Sequence, residues 1–133
     1  MLTEEIKSQL LKDAVAATKH TYSSYSNYPV GAALLTNTGE VICGTNIENA
    51  SFGLTVCAER VAIFKAVSEG YKDFVAIAVV TKDASPPCGA CRQVINEFNP
   101  NITVLAGDLE GNLVREYHQT ELLPNSFSAK KFD

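Results

Sequence analysis

Four cysteines, at positions 43, 57, 88 and 91, and one acid two residues after the second of them are where this sequence could do chemistry. Cys88-Gly89-Ala90-Cys91 follows two prolines, and Cys57-Ala58-Glu59-Arg60 leads into the apolar stretch VAIFKAV; both cysteine stretches read as helix starts. The N-terminal end of a helix carries partial positive charge and unpaired N–H donors, so a cysteine there ionises readily. Zinc binds cysteine only as the thiolate, and two such helix ends facing each other would make a metal site. Three protein ligands would leave zinc's fourth tetrahedral position open to water, which separates a catalytic site from a closed structural one.

A Cys-x-x-Cys taken alone is weak, because dithiol redox proteins and half of a zinc ribbon share it. Two rivals therefore stand beside a catalytic metal. A redox pair of Cys88 and Cys91 would give Glu59 no task, and a four-sulfur site completed by Cys43 would be structural. Cys43 lies in the strand-like stretch EVICGTN and not at a helix start, so it reads as core. Three thiolates around one zinc leave a net negative charge, which opposes ionisation of a bound water. The two helix ends and Arg60, next to the acid, are the groups that could offset it. Glu59 falls in the first turn of its helix. A carboxylate there reaches toward a metal held by Cys57, although an acid in a first turn also suits the helix end by itself.

These groups must be positioned by helices and strands. A first helix is predicted from about Thr3 to His20, with Ile6, Leu10, Ala14 and Ala17 at helical spacing. TYSSYSNYP reads as a loop. VGAALLT and EVICGTN flank Asn37-Thr38-Gly39 as a hairpin. IENASFGLT is again loop-like. The second helix runs from about Val56 to Glu69 and stops at Gly70. FVAIAVVT has the continuous apolar character of a strand buried on both faces. CRQVINEF makes a third helix, ITVLAGD and LVREYH two more strands, and TELLPNSF a closing turn of helix. This order, α-β-β-α-β-α-β-β-α, predicts an α/β fold with a mixed central β-sheet and helices on both faces.

At 133 residues the chain has room for one domain, read here as residues 1–133, with 46% hydrophobic and 20% charged residues. Eleven basic against fifteen acidic residues give a net charge of −4, so a nucleic-acid partner would meet repulsion. MLTEEIKSQLLKDAV interleaves charges with apolar residues, unlike a signal peptide, and no apolar run could span a bilayer. A cytoplasmic home, with reduced thiols and no membrane partner, is the expectation.

Cys57-x-Glu59 with Pro87-Cys88-x-x-Cys91 matches the three-cysteine form of the zinc nucleobase deaminase signature. Together with SNYPVGAALLT, GTNIENASFG, FKAVSEG, SPPCGACRQV and ELLPNSF, it resembles the small homotetrameric cytidine deaminases of pyrimidine salvage, from about Tyr25 to Phe127. The resemblance implies the three-layer cytidine deaminase-like fold. It also implies one zinc per subunit on Cys57, Cys88 and Cys91, Glu59 as proton shuttle, and Arg60 bonded to ligand cysteines. By the same resemblance the Ala58 N–H meets the base carbonyl, Asn46 and Glu48 hold the ribose hydroxyls, and Tyr28 packs on the nucleoside. Phe127 corresponds to an aromatic that reaches a neighbouring subunit's site, so the expected partners are a small nucleoside substrate and copies of the chain itself. Asn46 and Glu48 alternate about Ile47 in extended chain, which points both side chains the same way. Two positions depart from the pattern: Tyr28, usually phenylalanine, and Phe52, often tyrosine. A deaminase for another cytosine compound, blasticidin S, is the rival within the class.

Overall fold

In the computed structural model, which describes residues 2–129, helix α1 spans Glu4–Ala17. Thr3 caps it by accepting a hydrogen bond from the Ile6 N–H at 3.2 Å, and Glu4 and Glu5 occupy the first turn. The α-helix ends three residues before the predicted His20. Residues Thr18–His20 tighten into a 3-10 turn, where the Thr18 hydroxyl donates to the Val15 carbonyl at 2.6 Å. Strands β1 (Gly31–Thr36) and β2 (Val41–Thr45) form the predicted hairpin, with Gly39 at its turn at a φ of 94°. Then come α2 (Ala58–Ser68), β3 (Phe74–Val80), α3 (Gly89–Phe98), β4 (Thr103–Gly107), β5 (Leu113–His118) and α4 (Gln119–Leu122).

The five strands lie in the order β2-β1-β3-β4-β5. Only β3 and β4 pair in parallel, and that pairing needs the crossover that α3 supplies. The mixed sheet is therefore as the element order predicts. Alternation along the strands sends successive side chains to opposite faces. Ala33, Leu35, Ala76, Ala78, Val80 and Leu105 pack with Leu10, Leu11 and Ala14 of α1. Ala32, Leu34, Ile42, Ile77 and Val104 pack with Ala58, Ala62, Ile63 and Ala66 of α2 and Ile95 of α3. The result is a three-layer α/β fold with two cores divided by the sheet.

Two glycines set how closely helices approach the sheet. A Cβ on Gly31 would stand 1.9 Å from the Ala14 carbonyl oxygen, so α1 can cross β1 there only over glycine. On the other face, a Cβ on Gly44 would stand 2.6 Å from both the Ala58 oxygen and the Ala62 nitrogen. Gly44 thus lets the first turn of α2 lie flat on β2. Among the described residues no helix is long and apolar enough to cross a membrane.

Candidate active site

Cys57 and Cys88 are the N-cap residues of α2 and α3, both in extended backbone, and neither side chain makes a capping hydrogen bond. Their sulfurs stand 3.7 Å apart. Cys91, in the first turn of α3, is fully buried, and all three sulfurs lie within 4.8 Å of one another. Tetrahedral zinc with Zn–S bonds of about 2.3 Å holds its sulfurs about 3.8 Å apart, so the trio has the spacing of a zinc site.

Charge at the trio asks for a cation. A hydrogen bond from the Cys91 thiol, aided by Arg60 and Cys88 and opposed by burial, pulls the Cys57 thiol down to about 5. Cys91 is pushed strongly up by that same pairing, by burial and by the charges of Glu59 and its sibling cysteines. A divalent ion between the sulfurs would remove this mutual opposition. Arg60 already lies alongside, its Nη2 donating to Cys57 Sγ at 3.6 Å. Arg60 Nε is buried and has no hydrogen-bond partner among the described residues, a donor that a cluster of sulfur anions would satisfy. The residues present fit zinc.

Cys43 belongs elsewhere. It alternates with Ile42, which faces α2, and packs instead with the α1 core across the sheet. Its Sγ donates to the Asp13 carbonyl at 3.8 Å, and burial holds its thiol above the usual range. The sheet thus separates it from the trio.

Glu59 is 4% exposed, and burial, ahead of all other causes, raises its carboxyl to about 7. It lines a cavity of about 360 Å³ together with Cys57, Cys88, Asn46, Glu48 and Tyr28. Ser26, Thr55, Thr81, Ser85 and Pro86 complete much of the wall. Asn46 and Glu48 are both buried and flank an exposed Ile47, whose backbone bridges to Tyr22 and Val56 keep the segment extended. Ala58, the first residue of α2, is fully buried and is not part of the cavity wall. Phe127 is 63% exposed and also lies outside the wall; its carbonyl accepts from Gln93 Nε2 at 3.2 Å and from Asn96 Nδ2 at 3.5 Å. Phe52 is exposed and meets Tyr25 edge-on, with ring centroids 5.9 Å apart.

Three arrangements were not legible in the residue types. Glu48 accepts from the backbone N–H groups of Tyr25 and Ser26 at 3.0 and 3.1 Å and from the Ser26 hydroxyl, so it braces the 21–30 loop. Asn46 braces the same loop, accepting from Thr21 Oγ1 and the Val30 N–H and donating to the Tyr28 carbonyl. Arg92 spans the Pro87 carbonyl at 2.7 Å and the Leu122 carbonyl at 3.0 Å, tying the peptide before Cys88 to α4. Nothing in the local pattern around Arg92 announces that strut, because one of its partners is thirty residues away.

Known proteins resemble the chain along most of its length. A family model described as the cytidine and deoxycytidylate deaminase zinc-binding region matches residues 4–106. A cytidine deaminase from Halalkalibacterium halodurans is 54% identical over 127 residues, 93% of this chain and 96% of that protein. A blasticidin-S deaminase from Bacillus cereus is 36% identical over 96% of this chain and 99% of its own. Among solved structures, a cytidine deaminase from Burkholderia pseudomallei superposes with a TM-score of 0.85 at 45% identity, covering 94% and 99% of the two chains.

Proposed function

The chain belongs to the cytidine and deoxycytidylate deaminase zinc-binding family, and from that premise we propose that it hydrolyses cytidine, and 2′-deoxycytidine, to the uridine nucleoside and ammonia in pyrimidine salvage. The observation that carries this reading is a single cavity bordered by a zinc-spaced sulfur cluster, a buried carboxyl and the Asn46–Glu48 pair.

Cys57, Cys88 and Cys91 would hold zinc. Bound there, zinc supplies the Lewis acidity that makes water a nucleophile near neutral pH. Glu59 then manages protons: its carboxylate takes one from the attacking water and passes it to ring N3. As the C4–N4 bond breaks, the same carboxylate takes the second proton from the new C4 hydroxyl and delivers it to the departing amino group, which leaves as ammonia. Arg60 offsets charge on the ligand sulfurs. The Ala58 N–H is assigned to the base carbonyl. Asn46 and Glu48 are assigned to the ribose hydroxyls, using the hydrogen-bonding capacity that loop bracing leaves over. A carboxylate beside the sugar also repels a 5′-phosphate, which favours a nucleoside over a nucleotide. Tyr28 supplies an aromatic wall for the nucleoside.

The exposed Phe127 side chain supports a shared site, in which a neighbouring copy contributes that ring and the working form is a homotetramer with one zinc per subunit. One catalytic domain per chain and a cytoplasmic location complete the reading. Blasticidin S is the competing substrate, disfavoured because the CAER helix start, GTNIENASFG and Phe127 look more like the cytidine enzymes. The deciding assay follows ammonia release from cytidine and from blasticidin S. Faster turnover of blasticidin S would reverse the substrate assignment. Glu59→Ala is expected to keep its zinc and lose about 10²–10⁴-fold in turnover; undiminished turnover would remove the proton role from Glu59.

A further inference from the structure

Tyr28, in the cavity wall, is held at its backbone and at its ring tip by different parts of the chain. Tyr28's carbonyl accepts from Asn46 Nδ2 at 2.8 Å, and its N–H donates to Ser26 Oγ at 3.1 Å. At the far end its hydroxyl donates to Asp83 Oδ1. The same Asp83 oxygen accepts from Thr81 Oγ1 at 3.0 Å, and Thr81 Oγ1 in turn accepts from the Ser85 N–H at 2.9 Å. Lys82 places its ammonium 5.3 Å from the centre of the Tyr28 ring. The segment 81–85 therefore grips the tyrosine tip and face, and it runs directly into Pro86, Pro87 and Cys88.

Both partners sit beside left-handed residues that are not glycine: Asn27 at a φ of 55° and Ala84 at 54°. Such conformations cost free energy and persist where surrounding contacts over-determine them. A hydrogen bond from a neutral hydroxyl to a carboxylate is among the stronger contacts available at an exposed rim. Asp83 is exposed and does not itself line the cavity, so any effect it has on a ligand passes through the wall residues it bonds, Tyr28 and Thr81.

We propose that Asp83 is a positioning residue for the nucleoside: through the Tyr28 hydroxyl it latches the aromatic wall of the cavity to the segment that carries Cys88. The width of the cavity is then set before substrate arrives. A phenylalanine ring at position 28 would have no hydroxyl to give Asp83 and would keep only its backbone contacts and the Lys82 ammonium over its face. The inference rests on the nucleoside reading for its ligand, but the latch itself can be read without any substrate.

The test compares wild type with Tyr28→Phe, Asp83→Ala, Asp83→Asn and the double variant Tyr28→Phe/Asp83→Ala. Each of the first two is expected to raise KM for cytidine about fivefold with kcat within about twofold, the size of one hydrogen bond lost at a partly solvated site. Asp83→Asn keeps an acceptor and should recover most of the loss. The double variant should be no worse than either single one, since both remove the same contact. In the ligand-free proteins, hydrogen exchange of the amides in 81–85 should quicken alike in Tyr28→Phe and Asp83→Ala. Unchanged KM in Tyr28→Phe, multiplied effects in the double variant, or unaltered exchange would each overturn the latch. A wild-type protein that releases no ammonia from either nucleoside would instead overturn the functional reading, while the exchange measurement would still decide whether the two segments are pinned.

Discussion

The two faces of the sheet hold the same residue type to opposite ends. On the α1 face Cys43 is one more small apolar side chain, packed against the core that holds Leu10, Ala33 and Ala78, and burial shifts its thiol above the ordinary range. On the α2–α3 face three cysteines converge at two helix starts, and the Cys57 thiol is pulled down to about 5. Strand position explains the difference. A strand residue sends its side chain into a packed face, where a charge would be desolvated. An N-cap residue sits where N–H donors and the helix dipole welcome an anion. A sheet thick enough to separate the two environments is what lets one chain keep a structural thiol and a metal-binding trio apart.

The comparison breaks most sharply at the cysteines. Cys91→Ala should abolish both bound zinc and turnover, whereas Cys43→Ala should leave zinc content and turnover as they were. Metal analysis of the two purified variants checks this, and zinc lost from Cys43→Ala would mean that the sheet does not insulate the site. The glycines give a smaller, matched pair. Gly31→Ala and Gly44→Ala each force a Cβ into backbone of the crossing helix, and each should cost about 1–3 kcal/mol in denaturant unfolding. Only Gly44→Ala displaces the turn that carries Cys57 and Glu59, so only it should also weaken zinc retention against a chelator. Equal zinc loss from both would erase the distinction between the faces.

The smallest effect is a pH slope. The folded state favours the neutral Cys43 thiol, so its contribution is complete below the ordinary thiol value of 9.0 and fades as pH rises through the higher folded value. Unfolding free energies measured at about pH 8 and about pH 10 should fall more steeply for wild type than for Cys43→Ala. A slope identical in the two proteins would show that the thiol is not shielded.

Much of this was legible from the chain alone. Element order, the hairpin and the mixed sheet follow from periodicity and turn residues, with ends shifted by one to three residues where caps and 3-10 turns intervene. The helix starts at Cys57 and Cys88 were legible because their signals, the apolar run VAIFKAV and the Pro86-Pro87 break, are local. The alternation of Asn46 and Glu48 about Ile47 was legible for the same reason: extended backbone has a period of two.

Spacing and residue type, then, determined which groups could do chemistry and that Cys43 was unlike the other three. Tertiary structure alone decided that Glu48 and Asn46 also brace the 21–30 loop, that Arg92 ties the Cys88 peptide to α4, and that Tyr28 finds Asp83. Apart from the five-residue reach of Arg92 to the Pro87 carbonyl, those contacts join residues from sixteen to fifty-five positions apart. Helical and strand periodicities describe neighbours within a turn or a pleat. Which distant side chain completes a hydrogen bond depends on how the layers stack, and the sheet between α1 and α2 settles that only once the whole chain has closed around it.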